Sequence, residues 1–72
     1  MLKTRIKELR ARDGLKQEEL ARLVGVRRET IGNLENGRYN PSILLAFKIA
    51  RYFNMRIEEI FLYEEDRIEK ND

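Results

Sequence analysis

The 72-residue chain has neither cysteine nor histidine. The first absence excludes a disulfide framework and a thiolate metal site. The second removes the commonest metal ligand and the usual general base at neutral pH. The densest group of acids, Glu64-Glu65-Asp66, lies in a charged C-terminal stretch, and a metal site built on it is not expected. No catalytic residue, metal or cofactor is therefore expected, and the chain does not read as an enzyme. Long apolar runs are missing too. Nothing approaches the ~20 residues that span a bilayer, and the opening Met1-Leu2-Lys3-Thr4-Arg5 has no apolar signal-peptide region. The reading is a cytoplasmic protein without membrane contact. Aromatic residues are absent from the front half, since all six Tyr and Phe lie at or after Tyr39. The front half must be built on aliphatic residues, with most of the apolar contact area supplied from behind.

A chain this short builds one core. It buries only about 60% of its unfolded surface, so a partner subunit would help to stabilise it. Net charge is only +2, but residues 1–56 hold thirteen Lys/Arg against six Asp/Glu, and residues 57–72 hold two against seven. Such polarity suits a basic face turned to phosphates and an acidic end held away from them.

Residues 17–35, QEELARLVGVRRETIGNLE, organise the rest. Leu20, Ala21 and Val24 share one helical face, and Ile31 and Leu34 share another, while nearly everything between is polar. Gly25 lies between them, where a left-handed turn is open to glycine at little cost. Ala21 is small enough to let two helices cross closely after a short turn. Together these signals specify a helix-turn-helix, and the stretch resembles the Cro/phage-repressor family of DNA-binding proteins. The resemblance runs through residues 1–61 and is strongest at residues 15–35 and at Tyr39-Asn40-Pro41-Ser42.

The first helix is expected at residues 4–12, with Ile6 and Leu9 inward and Leu2 prolonging their stripe. Asp13-Gly14 stops it. The second starts near Gln17. Relatives usually carry Ser or Thr just before that glutamine, but here it is Lys16, which cannot cap. Glu18 and Glu19 offset the loss at the positive end of the dipole. The third helix, from Arg28 to Leu34 or Glu35, again lacks its usual cap, with Arg27 in that place. By the resemblance it is the recognition helix. Its outward stripe is Arg28, Glu29, Gly32, Asn33 and Asn36. Arginine pairs with guanine, asparagine with adenine, and glutamate accepts from cytosine. Gly32 would permit close approach to the DNA. Base contacts are therefore assigned to Arg28, Glu29, Gly32 and Asn33.

The resemblance further implies phosphate contacts at Gln17 and at Arg38, Asn40 and Ser42 of the loop after Gly37, with Arg27, Thr30 and Asn36 assigned alongside. It also implies a structural ion pair between Arg10 and Glu35. Ser42 caps a fourth helix at residues 43–53, with Leu45, Ala46, Ile49, Ala50 and Phe53 inward and Phe47 beside them. Asn54 suits a left-handed C-terminal position. A short fifth helix covers residues 57–61.

The fold class is thus all-α, a five-helix repressor-like DNA-binding domain at residues 1–61, with an acidic tail at residues 62–72 whose first residues meet a dimer partner. Small relatives look like repressors that bind operators as homodimers. By that likeness the chain is a sequence-specific regulator of double-stranded DNA, with an approximately palindromic operator and any protein co-regulator unknown. The alternative is an antitoxin-like or bridging module on the same fold. Ile57, Ile60, Phe61, Leu62 and Tyr63 are too many bulky groups for one short segment to bury alone, so the dimer interface is assigned to them. Either helix five continues through them, or a terminal strand forms there and pairs with Leu2-Lys3.

Overall fold

The computed structural model describes residues 2–64. Five helices are bracketed by a two-stranded sheet: β1 (Leu2–Thr4), α1 (Ile6–Arg12), α2 (Gln17–Val24), α3 (Arg28–Glu35), α4 (Ile43–Phe53), α5 (Ile57–Ile60) and β2 (Phe61–Tyr63). The expected five helices are present in order, and of the two terminal arrangements the strand pair is the one formed. Leu2 faces Tyr63, Lys3 faces Leu62 and Thr4 faces Phe61 in antiparallel register. The first helix accordingly begins at Ile6 and not at residue 4. Residues 2–4 find their partners across the chain in β2, and the Thr4 hydroxyl accepts the Ile6 amide at 3.2 Å. Leu2 reaches the core from a strand, not as part of the helical stripe. Phe61 closes α5 in extended conformation, and residues 61–63 belong to the folded unit. Of the acidic tail expected at residues 62–72, Leu62 and Tyr63 instead form β2 with Phe61, and residues 65–72 lie outside the described residues.

Helix starts rest on local chemistry. Ser42 Oγ accepts the Leu45 amide at 3.1 Å, the side-chain cap expected for α4. Lys16 gives α2 no such cap, but the Glu19 carboxylate accepts the Lys16 amide at 2.8 Å. This is the reverse half of a capping box. The arrangement recurs at α5, where Glu59 accepts the Arg56 amide at 2.8 Å. Helix ends follow the signals expected of them: Gly25 and Asn54 have positive φ, as does Gly37 after α3. Arg5 ties the two ends of the chain together. Its amide donates to the Ile60 carbonyl at 2.9 Å, and its guanidinium donates to the Glu59 carbonyl at 3.3 Å. The same guanidinium, hydrogen-bonded to Glu8, holds that carboxyl below its usual range.

The core draws on every helix. Ile6, Leu9, Leu20, Ile31, Leu34, Ile49 and Ile60 are almost fully buried, with Ala21, Val24, Leu45, Ala46, Ala50, Phe53 and Phe61 around them. Fully burying a side chain of this size contributes roughly 1.5–3 kcal/mol, so tertiary packing, not capping, holds α3, which has no side-chain cap at all. α2 and α3 pack on each other more extensively than any other pair of elements, and Ala21 at their junction is buried as a close approach requires. Phe47 departs from expectation. It stands 51% exposed, as do Ile43 at 72% and Leu44 at 60%. α4 is apolar on several sides, and only the side bearing Leu45, Ile49 and Phe53 meets the core.

Candidate nucleic-acid interface

With Ile31 and Leu34 buried, α3 turns its other side outward. Arg28, Glu29, Asn33 and Asn36 are exposed, and Gly32 and Thr30 are half-buried between them. The four residues assigned to base edges thus share the outer side of one helix. What sets that helix in place is the turn before it. Gly25 adopts φ 79°, ψ 35°, and the Val26 amide donates back to the Ala21 carbonyl at 2.9 Å. Val26 then packs against the core, and the extended Arg27 leads into α3.

Of the residues assigned to phosphates, Thr30 lies within α3 and Asn36 ends it, and the others flank the helix on both sides. Gln17 opens α2, and exposed Arg27 precedes α3. Beyond α3, Gly37 turns at φ 71° and the Arg38 amide donates to the Asn33 carbonyl at 2.9 Å, which fixes the start of the loop. Arg38, Asn40 and Ser42 of that loop are all exposed. Ser42 accepts the Leu45 amide with its oxygen, leaving the hydroxyl hydrogen free to donate.

The ion pair is present. Arg10 Nε meets Glu35 Oε2 at 2.6 Å and Nη2 meets Oε1 at 3.1 Å, a two-pronged contact with side chains only 14% and 4% exposed. Arg10 Nη1 also donates to the Leu15 carbonyl at 2.8 Å, tying the turn after α1 to the end of α3. Gln17 joins the same network: its Nε2 donates to Glu35 Oε1 at 3.0 Å, and its Oε1 accepts from Arg28 Nη1 at 3.4 Å. Sequence reasoning placed Gln17 at a phosphate and missed both bonds, because residues 17, 28 and 35 carry no local signal of meeting. The reverse caps were legible in principle, since Lys16-Gln17-Glu18-Glu19 and Arg56-Ile57-Glu58-Glu59 repeat one basic-x-acid-acid order.

Two residues assigned to a dimer surface lie inside the protomer. Ile60 is 0% and Phe61 9% exposed, because α5 and the first residue of β2 close over the core. Leu62 and Tyr63 are exposed, and Ile57 is half-buried. Ile57 lines a groove between α4 and α5 with Phe47, Met55, Arg51, Arg56 and Glu58. Among the described residues no cluster of three or more acids is placed to hold a metal ion, and no helix is long and apolar enough to cross a membrane.

Two helices packed on each other and joined through a left-handed glycine, apolar sides inward and a polar stripe outward, define a helix-turn-helix unit. The chain belongs to the helix-turn-helix family, whose profile matches residues 6–60. It is 58% identical over 67 residues to an uncharacterized HTH-type transcriptional regulator of Archaeoglobus fulgidus, covering 93% of this chain and 96% of that one. It is 30% identical to the cryptic phage CTXphi transcriptional repressor RstR of Vibrio cholerae, covering 97% of this chain and 63% of the repressor. Among solved structures it resembles the restriction-modification controller protein C.AhdI of Aeromonas hydrophila. That likeness has a TM-score of 0.70 and 38% identity over 76% of this chain and 83% of the controller.

Proposed function

We propose that this protein is a cytoplasmic transcriptional repressor that binds double-stranded operator DNA as a homodimer and acts by binding, not catalysis. The observation that carries the reading is α3: two buried aliphatics hold one side of it while an arginine, a glutamate and an asparagine stand exposed on the other. In the major groove, Arg28 and Asn33 would donate to the edges of guanine and adenine, and Glu29 would accept from cytosine. Gly32 would let the helix backbone come close. Gln17, Arg27, Thr30, Asn36, Arg38, Asn40 and Ser42 would hold the phosphates to either side and fix the register without reading sequence.

The interface between protomers takes Leu62 and Tyr63 of β2 together with Ile57. Phe47 extends it, because Phe47 and Ile57 line one groove. Ile60 and Phe61 support this surface from beneath. A two-fold dimer sets its recognition helices about 34 Å apart, one turn of DNA, so the operator is an approximate palindrome. Selection from randomised duplex DNA tests the whole reading. The expected yield is a two-fold symmetric site with half-sites about one helical turn apart. Recovery of unrelated sequences, or of none, would overturn it in favour of a module whose partner is protein.

A further inference from the structure

The Arg10–Glu35 ion pair joins α1 to the last residue of the recognition helix and touches none of the residues assigned to base edges. Yet a chain of hydrogen bonds runs from it to the surface. Arg10 donates twice to Glu35, Gln17 Nε2 donates to Glu35 Oε1 at 3.0 Å, and Arg28 Nη1 donates to Gln17 Oε1 at 3.4 Å. We propose that this buried ion pair is a specificity device, in which Glu35 and Gln17 are positioning residues that set the polarity met by Arg28. The proposal rests on the assignment of Arg28 to a base edge.

The physical reason is the one-way character of the end groups. A carboxylate accepts only and a guanidinium donates only. The primary amide between them has one end of each kind. With Glu35 on one side, Gln17 must turn its NH2 inward, which leaves its carbonyl facing Arg28. Reversing the amide would set oxygen against carboxylate and NH2 against guanidinium. Both contacts would be lost and both would repel. Glu35 side-chain exposure is only 4%, so water does not replace the missing donor. The charge buried at position 35 therefore dictates that position 28 carries a donor.

Gly32 leaves the path clear. A β-carbon there would stand 3.8 Å from Gln17 Nε2 and 3.9 Å from Oε1, so anything beyond the β-carbon would compete for the space the amide crosses. At the outer end the bond engages Nη1 of Arg28. The Nε–Nη2 edge of the guanidinium is left whole, and that edge matches the paired O6 and N7 acceptors of guanine. Gln17 keeps one amide hydrogen for a phosphate, so positioning and phosphate contact are compatible.

The test compares base preference on purified duplexes substituted at each position of the selected site. Arg28→Ala should abolish preference at one base pair per half-site. Gln17→Leu, and separately Arg10→Met with Glu35→Leu, should each lower discrimination at that same base pair by roughly tenfold and leave the other positions unchanged. In an Arg28→Ala background neither should alter preference further. A merely structural ion pair would weaken binding to all sequences alike. Preference at the Arg28 base pair retained in Gln17→Leu overturns the proposal. Circular dichroism checks that the double variant folds, and Gln17→Leu decides alone if it does not. If Arg28→Ala itself leaves preference intact, the base assignment fails, and this proposal falls with it. If it removes preference while the other variants keep theirs, only the proposal fails.

Discussion

Replacing Arg10 with Met should destabilise the domain far more than replacing Arg10 and Glu35 together. The Glu35 carboxylate is 4% exposed and accepts three hydrogen bonds, two from Arg10 and one from Gln17. Arg10→Met removes two of the three and leaves a buried charge uncompensated, which costs about 3–5 kcal/mol. It also strands the Leu15 carbonyl, bonded to Arg10 at 2.8 Å, though the turn around it can readmit water. Total stability for a chain of this length is roughly 4–11 kcal/mol, so the single variant should stand close to unfolding. Arg10→Met with Glu35→Leu removes both charges and fills similar volume, and replacements of that kind are often neutral or stabilising. The lost Leu15 and Gln17 bonds bring the expected net cost to about 1–2 kcal/mol. Glu35→Leu alone also costs stability by stranding a buried guanidinium, so the pair should show a coupling of at least about 2 kcal/mol. Urea denaturation followed by circular dichroism, on all four members of the cycle, measures it. Additivity within about 0.5 kcal/mol would show that the two side chains do not interact and refute the reasoning.

Four further outcomes are expected. Gly32→Ala should raise stability by roughly 0.5–1 kcal/mol, because a β-carbon meets only ordinary contact with Gln17 and the helix gains propensity; a lower melting temperature would contradict this. Ser42→Ala should cost about 0.5–2 kcal/mol through loss of the α4 cap and weaken all DNA sequences equally, which denaturation and duplex titration would show. Leu62→Glu and Phe47→Glu, both at exposed sites, should leave the fold intact and shift sedimentation at micromolar concentration toward the monomer; an unchanged dimer would exclude this interface. Glu8, held below its usual range by its hydrogen bond to Arg5, should be more than half ionised in an NMR titration at the pH where an unpaired glutamate is half protonated. Its contribution to stability is present above the unfolded value and lost as pH falls through the folded one.

What could be read from the sequence is what short-range rules govern. Gly25, Gly37 and Asn54 stand where left-handed residues end helices, and Ser42 stands where a cap begins one. Leu20, Ala21, Val24, Ile31 and Leu34 are buried because their spacing left no other face to bury. The limits lie where distant residues meet. The start of α1 was misplaced because residues 2–4 answer to β2, some sixty positions away, and a three-residue strand has too little alternation to announce itself. α4 has apolar residues on several sides, so its pattern did not say that Phe47 would face outward. Ile60 and Phe61 were assigned to a surface because they are bulky and late in the chain, yet the aliphatic front half needs just such groups to close its core. Gln17 was assigned to a phosphate by the resemblance, which says nothing of its amide bonds, because these depend on Glu35 and Arg28 arriving from another helix.

The most direct measurement is affinity for the selected palindrome and for a scrambled duplex of equal composition across a salt series. Three to five phosphates held by each protomer should give a log–log salt slope of roughly −5 to −9 for the dimer. At physiological salt the selected site should bind at least about a thousandfold tighter than the scrambled one. Equal affinity for the two duplexes, or a binding constant unchanged between low and physiological salt, would contradict DNA reading by α3.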